Sequence, residues 1–147
     1  MITPLGEADI ADLVALWEAC ELTRPWNDPE RDARLAIAGP SSAILGLREG
    51  RALAASVMVG FDGHRGWIYY LAVAPDRRRE GLGRTLMAAA EAWLGERGAP
   101  KLQLMVRASN AEALGFYEAL GLERQDVVTL GRFLDDDSRA QLSDAPL

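Results

Sequence analysis

The stretch WIYYLAVAPDRRREGLGRTLMAAAEAWL, residues 67–94, contains the signals that decide the fold. Residues 67–73 are rich in aromatic and β-branched side chains and predict a strand that ends before Pro75. A turn with two glycines follows. From Gly81 the apolar residues recur at helical spacing, which predicts a helix to about Glu96. Strand, glycine-containing turn and helix therefore follow one another directly.

The turn concentrates positive charge in a chain whose formal net charge is −6. Four arginines lie between residues 76 and 84, beside Gly81 and Gly83. Unpaired backbone N–H groups at a helix N-terminus, the helix dipole and nearby arginines all favour an anion, typically phosphate. Glycines let a ligand approach the backbone closely. The turn therefore predicts a site for a polyanionic, phosphate-bearing ligand.

Two common phosphate-binding motifs do not fit this turn. A P-loop needs Gly-Lys-Ser/Thr, whereas Arg84 and Thr85 follow Gly83. A dinucleotide fingerprint needs a third glycine at the position of Leu86. Another kind of nucleotide-binding protein stays open as an alternative at this stage.

The remaining patterns predict one mixed α/β domain over residues 1–134, with element order β-α-α-β-β-β-α-β-α-β. Asp28 and Pro29 read as the N-cap and first residue of a second helix. Asn110 and Gly121 read as the start and end signals of a later one. Residues 135–147 are predicted to be a polar, frayed tail. The predicted helices are 8–20, 28–38, 81–96 and 110–120, and the predicted strands include 41–47, 52–61, 67–73, 101–106 and 123–130.

Composition excludes several classes of protein. No run of about 18 apolar residues could span a membrane, and the N-terminus lacks the basic region of a signal peptide. Cys20 is the only cysteine, so no internal disulfide is possible, and we expect a cytoplasmic protein. A pI near 4.8 argues against a nucleic-acid partner. No metal site is predicted, and the sequence does not decide between a monomer and a homodimer.

A longer motif around the turn identifies the ligand more specifically than the two glycines do. Arg78-x-x-Gly81-x-Gly83, after a strand ending LAVAP, resembles the coenzyme A loop of the GNAT superfamily of N-acetyltransferases. NAEALGFYEALGLE, residues 110–123, is similar to the fourth helix of that family. The resemblance covers residues 2–134, and the segments RPWNDPE and DGHRG further resemble a bacterial subgroup of YpeA-like acetyltransferases.

The resemblance implies the GNAT fold, which has a mixed, mostly antiparallel central sheet with helices on both faces. It also implies acetyl-CoA as the acetyl donor, without a metal. The coenzyme would lie where the strands 67–73 and 101–106 splay apart. The residues implied in coenzyme binding are Leu71, Ala72, Val73, Arg78, Arg79, Gly81, Leu82, Gly83, Arg84, Asn110 and Tyr117.

The same resemblance implies direct attack of a primary amine on the thioester. The backbone N–H of Leu71, at a bulge, would stabilise the developing oxyanion. Val73 would pair its backbone with the pantetheine arm. Tyr117, seven residues after Asn110, would protonate the leaving thiolate. Tyr117 and Leu71 are therefore the predicted catalytic groups.

A general base is harder to assign. Trp67 stands where histone-type relatives carry a glutamate, and Met105 stands where relatives that acetylate protein N-termini carry one. The remaining candidates are a chain of water molecules or one of four side chains: Asp28, Asp62, His64 and Tyr69.

We expect the amine acceptor, a small molecule or a peptide, to bind between the loop 24–28 and the strand 67–73. Trp26, Trp67 and Tyr69 would form the walls, and Asp28 or Asp62 would hold a cationic amine. Because both family glutamates are missing, a non-catalytic acyl-CoA-binding or sensing module on the same fold stays open as an alternative.

Overall fold

The computed structural model describes residues 1–143, which form a five-stranded sheet with helices on both faces. The strands are β1 (Ile2–Pro4), β2 (Ser42–Glu49), β3 (Ala52–Phe61), β4 (Gly66–Val73) and β5 (Leu102–Leu104). The helices are α1 (Ile10–Ala19), α2 (Pro29–Ala38), α3 (Leu82–Glu96), α4 (Ala111–Ala119) and α5 (Asp136–Ser143).

The strands lie in the sheet in their order along the chain, from β1 to β5. The first four pair antiparallel, whereas β4 and β5 pair parallel. A parallel pair needs a crossover connection, and α3 supplies it. This arrangement confirms the predicted mixed, mostly antiparallel sheet.

Each face of the sheet carries its own apolar core. On one face α3 packs on β3 and β4, because Leu86, Met87, Ala90 and Leu94 recur at helical spacing on its buried side. On the other face α1 and α2 cover the sheet. The buried residues of that second core include Leu13, Leu16, Trp17, Ala33, Ala36, Ile44 and Ala72.

Local signals set most element boundaries as predicted. Asp28 caps α2, since its Oδ1 accepts a hydrogen bond from the Arg31 backbone N–H at 3.2 Å. Gly50, in the turn between β2 and β3, has a φ of +61°, which favours glycine. Gly121 ends α4 in the same left-handed region, with a φ of +90°.

The predicted last strand, 123–130, is wrong. Within residues 1–143, no backbone hydrogen bond joins this segment to β5. The contacts are made by side chains: Lys101 Nζ donates to Gln125 Oε1 at 2.8 Å, and the Thr129 hydroxyl lies 3.6 Å from Met105 Sδ. Strand propensity forms a strand only where a neighbouring edge offers partners, and β5 has only three paired residues.

The segment predicted as a frayed polar tail contains α5. Asp135 stabilises its start, since its carboxylate accepts hydrogen bonds from the Ser138 backbone N–H at 2.6 Å and from the Ser138 hydroxyl at 2.9 Å. Residues 144–147 of that predicted tail lie outside the described residues.

Candidate active site

The strands β4 and β5 pair over only three residues and then separate. Gly66, Trp67 and Ile68 pair with residues 102–104, and no pairing continues from Tyr69 onward. Within residues 1–143, this edge of β4 is therefore not paired with another strand from Tyr69 onward. The gap lies where the splayed strands were predicted.

A β-bulge interrupts β4 beside this gap. Tyr69 pairs with Met58 and Ala72 pairs with Ser56, so two residues, Tyr70 and Leu71, lie opposite one residue of β3. The backbone of Tyr70 has a φ of +51°, a left-handed conformation that is uncommon and costly for a residue with a large side chain.

Two contacts hold the strained tyrosine. The Tyr70 ring stacks on Trp17, with ring centres 3.9 Å apart and planes 10° apart. Its hydroxyl donates a hydrogen bond to Asp32 Oδ2 at 2.7 Å. Burial, followed by this bond to a carboxylate, raises the pKa of the Tyr70 phenol well above its ordinary value. The bulge is therefore supported by α1 and α2 together.

The bulge also sets the direction of the backbone. The Ala74 N–H donates to Ala54 O at 2.8 Å, so Ala72 and Ala74 face β3. Because backbone groups alternate along a strand, the backbone groups of Val73, beyond the bulge, face away from β3. The Val73 carbonyl accepts a hydrogen bond from the Cys20 thiol, with Sγ 3.1 Å from the oxygen.

Residues 76–84, which we call the arginine turn, contain one arginine with carboxylate partners and, among the described residues, three without. Arg77 is held by Glu49 and Glu80, with four N–O distances between 2.8 and 3.0 Å. These bonds raise the pKa of its guanidinium and lower the pKa of both carboxyls. Within residues 1–143, no side-chain hydrogen bond or ion pair involves the other three arginines of the turn, Arg78, Arg79 and Arg84. These three exposed guanidinium groups are therefore available to solvent or to a ligand.

Glycine is required at the two positions of the turn for different structural reasons. Gly81 caps α3 in the left-handed region, with a φ of +79°. Leu82 and Gly83 follow as the first residues of the helix. A Cβ on the buried Gly83 would lie 3.1 Å from the Phe116 ring, so this glycine makes room for α4. Close packing, besides ligand approach, therefore explains Gly83.

Tyr117 lies in α4, half-buried against the core on the α3 face. Its ring meets that of Phe116 edge to face, with centres 5.0 Å apart. Burial raises the pKa of the Tyr117 phenol, so the hydroxyl keeps its proton at neutral pH. Asn110 caps the same helix, since its Oδ1 accepts from the Ala113 N–H at 3.1 Å.

A cleft of about 890 Å³ opens on the face of the sheet that α1 and α2 cover, and we refer to it as the α1–α2 cleft. It lies beside the bulge, because Tyr69, Tyr70 and Met105 are in its wall. Its full lining is Leu22, Arg24, Asn27, Asp32, Leu35, Ala36, Ser42, Met58, Tyr69, Tyr70, Met105, Val106, Arg107 and Thr129.

Of the five predicted acceptor residues, only Tyr69 is in this lining, with 42% of its surface exposed. Trp26 is not in the lining, but its ring centre lies 5.6 Å from the guanidinium of Arg107, a residue that is in the lining. Asp28 serves as the α2 cap.

The other two predicted acceptor residues bond to each other: Asp62 lies in the turn between β3 and β4, and Trp67 lies near the start of β4. Trp67 Nε1 donates to Asp62 Oδ2 at 3.2 Å, and Asp62 Oδ1 accepts from the Arg65 and His64 backbone N–H groups. These backbone bonds, Arg65 first, lower the pKa of the Asp62 carboxyl. The turn thus occupies Asp62, and the exposed His64 lies in the same turn.

Sequence reasoning missed Asp32 and Tyr70. Asp32, Leu35 and Ala36 lie at i, i+3 and i+4 of α2 and face the cleft together. That spacing could have indicated a cleft-facing carboxylate. The contact with Tyr70, 38 residues away, has no local signal.

The splayed strands, the bulge and the arginine turn at the start of α3 together define a mixed α/β protein with an open sheet edge next to a helix N-terminus. The sequence model described as "Acetyltransferase (GNAT) family" matches residues 11–122. The chain belongs to this family and is an N-acetyltransferase.

Individual relatives agree with the family match. The chain is 43% identical over 128 residues to "Acetyltransferase YE1169" of Yersinia enterocolitica, a match that covers 87% of this chain and 91% of the relative. It is similar to the ribosomal-protein-S18-alanine N-acetyltransferase of Escherichia coli, with 28% identity, a TM-score of 0.71, and coverage of 82% of this chain and 76% of that one.

A further solved structure shares the fold. It is AAC(6')-Iy in complex with the bisubstrate analog CoA-S-monomethyl-acetylneamine, with 15% identity, a TM-score of 0.77, and coverage of 90% of this chain and 97% of that one. Over residues 1–143, no helix is long and apolar enough to cross a membrane. The same residues contain no group of three or more His, Cys, Asp or Glu side chains arranged to hold a metal ion.

Proposed function

We propose that this protein transfers the acetyl group of acetyl-CoA to a primary amine of a small molecule or peptide, by direct attack of the amine on the thioester. The observation that carries the proposal is the divergence of β4 and β5 beside the bulge at Tyr70 and Leu71. Bound acetyl-CoA supplies the activated acetyl group.

The residues of this chain fit that donor. The unpaired Arg78, Arg79 and Arg84 lie beside the N-terminus of α3, where phosphate oxygens are favoured. The backbone of Val73 lies at the gap in which the pantetheine arm would bind, whereas that of Ala72 pairs with β3. Asn110 supports the neighbouring α4. A solved structure with the same fold holds a CoA-based analog.

We assign charge stabilisation to the backbone N–H of Leu71. The neighbouring Tyr70 has a strained backbone conformation, and its ring stacks on Trp17, which supports a fixed backbone at the bulge from which this N–H would point toward the gap. A fixed donor acts where negative charge develops, and one such donor contributes roughly 2.7–4 kcal/mol in other enzymes.

We assign the proton for the leaving thiolate to Tyr117. Burial raises the pKa of its phenol, so the hydroxyl stays protonated, and no protein acceptor within residues 1–143 engages it. A protonated group without a competing partner is suited to act as a general acid.

The amine would lose its proton to water. Tyr69 lines the α1–α2 cleft, but burial and then the charge of Asp62 raise the pKa of its phenol, so it is not a base at neutral pH. Asp28 and Asp62 are engaged in a helix cap and a turn. We therefore expect kcat/KM to rise with pH as the amine itself becomes neutral.

Two measurements test the proposal. In a thermal shift series with acetyl-CoA, ATP and NAD, only acetyl-CoA should raise the Tm, by the equivalent of about 2.7 kcal/mol at 100 times its Kd. Amine-dependent release of CoA should then separate catalysis from binding alone. A larger Tm shift with ATP or NAD would reject acetyl-CoA as the ligand. Acetyl-CoA binding without CoA release, for any of a broad panel of amines, would favour the non-catalytic module.

A further inference from the structure

The charges of the α1–α2 cleft differ from those of the whole protein. The cleft lining contains one carboxylate, Asp32, and two guanidinium groups, Arg24 and Arg107. Its ionisable side chains at neutral pH therefore sum to a positive charge, whereas the chain as a whole has a formal net charge of −6. A cleft of this charge disfavours a polycationic acceptor.

The two cations are held in place but keep donors for a ligand. Arg24 Nη1 donates to the backbone oxygens of Glu21 and Thr23, both at 2.9 Å. These bonds do not use Nε or Nη2, whose N–H groups could bind a ligand. The guanidinium of Arg107 lies 5.6 Å from the centre of the Trp26 ring, within the range of a cation–π contact. Within residues 1–143, no hydrogen bond or ion pair involves the Arg107 side chain.

The single carboxylate of the cleft lining is linked to the bulge through the side chain of Tyr70. Asp32 Oδ2 accepts the Tyr70 hydroxyl at 2.7 Å, and Tyr70 immediately precedes Leu71. This bond leaves the second carboxylate oxygen of Asp32 for a cationic or neutral amine. A guanidinium is the side chain best suited to bind a carboxylate in two hydrogen bonds.

We propose that the acceptor is a small amino acid, in which one molecule carries both the amine and a carboxylate. Its amine lies toward Asp32 and the bulge, and its carboxylate lies toward Arg24 and Arg107. The rest of the lining, including Leu22, Leu35, Met58 and Met105, is apolar and suits an apolar side chain. This inference rests on the proposed acetyltransferase function.

The test compares matched acceptors. CoA release is measured with the standard amino acids, with their carboxamides, and with spermidine as a polycation. We expect at least one apolar amino acid to exceed its own amide by about tenfold in kcat/KM, the contribution of one charge-assisted hydrogen bond. The amide has the lower amine pKa and is more neutral at pH 7, so intrinsic reactivity works against this result.

A matched pair of variants assigns the preference to the cleft. In Arg107→Gln the ratio of acid to amide should fall toward one. Arg97→Gln is the control, because the Arg97 guanidinium also lies over a tryptophan, 3.6 Å from the centre of the Trp93 ring, but outside the cleft. Its ratio should stay that of the wild type.

The outcomes are distinguishable. Equal or faster turnover of amides or spermidine would overturn the amino-acid acceptor while leaving the acetyltransferase function in place. An unchanged ratio in both Arg107→Gln and Arg24→Gln would also overturn it. A protein that neither binds acetyl-CoA in the thermal shift series nor releases CoA with any amine would overturn the proposed function itself.

Discussion

The arginine turn and the α1–α2 cleft flank the same strand but are built in opposite ways. The turn takes all its groups from nine consecutive residues, 76–84, whereas the cleft takes its lining from segments spread between Leu22 and Thr129. The turn leaves cations free at the surface, and the cleft ties its single carboxylate to Tyr70. A local motif can therefore specify the proposed donor side, while only the fold assembles the proposed acceptor side.

The largest expected effect concerns Tyr117, on the donor side of the strand. Tyr117→Phe keeps the ring contact with Phe116 and deletes only the hydroxyl. If this hydroxyl protonates the thiolate, kcat should fall by a factor of order 10²–10⁴. Stability should change little, because the hydroxyl has no bond to another group within residues 1–143.

Steady-state kinetics and thermal denaturation of the same preparation check this prediction. The acetyl-CoA Kd serves as the control, since the retained ring should preserve it. Wild-type turnover in Tyr117→Phe would show that solvent protonates the leaving group.

The next effect separates the arginines within the turn. Arg78→Gln should weaken acetyl-CoA binding about tenfold, the lower end for a hydrogen bond to a charged group. Its Kd should also depend less on salt, because one ionic contact is lost. Arg77→Gln is the matched control, since Arg77 is already occupied by Glu49 and Glu80.

Calorimetry at two salt concentrations and the Tm of each variant distinguish the two roles. We expect Arg77→Gln to lower the Tm with little change in Kd, and Arg78→Gln to do the reverse. Equal losses of affinity in both variants would mean that the turn attracts acetyl-CoA through its total positive charge and not through a specific contact with Arg78.

An effect of similar size, on stability and not on affinity, concerns the cleft side. Tyr70→Phe keeps the stacking on Trp17 but removes the bond to Asp32, which should cost about 1.5 kcal/mol at pH 7. The folded-state pKa of Tyr70 is raised above its unfolded value of about 10. This contribution is therefore fully present below about pH 10 and is lost as the pH rises toward the folded-state pKa.

Urea denaturation between neutral and alkaline pH measures this difference. The stability of the wild type should fall more steeply above pH 10 than that of Tyr70→Phe. Parallel curves would show that the Tyr70 phenol ionises in the folded protein as it does in the unfolded one, and that the bond to Asp32 contributes nothing.

The contrast between the two sides explains what the sequence could predict. The helices α1–α4 and the start of α3 follow from periodicity and from local signals such as Asp28 and Gly81, the mixed sheet followed from the family resemblance, and α5 was not predicted. The strand predicted at 123–130 failed because its formation depends on a partner edge that β5 does not extend far enough to supply.

The acceptor side was predicted less well for a related reason. Trp67 and Asp62 were predicted in the acceptor site from their residue types, but in the structure they are hydrogen-bonded to each other. Asp32, in contrast, acquires its position only when α2 packs on the sheet and meets Tyr70. Polar residues of a cleft assembled from distant segments carry no spacing that a single sequence reveals.

The smallest expected effect concerns Gly83. This glycine belongs to the local turn, but it packs against Phe116, which is distant in the sequence. In Gly83→Ala the new methyl would lie 3.1 Å from Phe116, and overpacking of this kind typically costs about 1–3 kcal/mol. Replacing glycine with alanine in a helix returns roughly 0.5–1 kcal/mol. The net loss should therefore be near 1 kcal/mol, with the acetyl-CoA Kd unchanged.

A double-mutant cycle with Phe116→Leu decides between packing and ligand approach. If Gly83 exists to admit α4, the smaller leucine should relieve the contact and give a coupling energy of at least about 0.5 kcal/mol. If the glycine instead admits phosphate oxygens to the backbone, the two substitutions should be additive in stability, and Gly83→Ala should raise the Kd by itself. The first result would show that the arginine turn, although its residues are consecutive, also depends on packing against Phe116 of the distant helix α4.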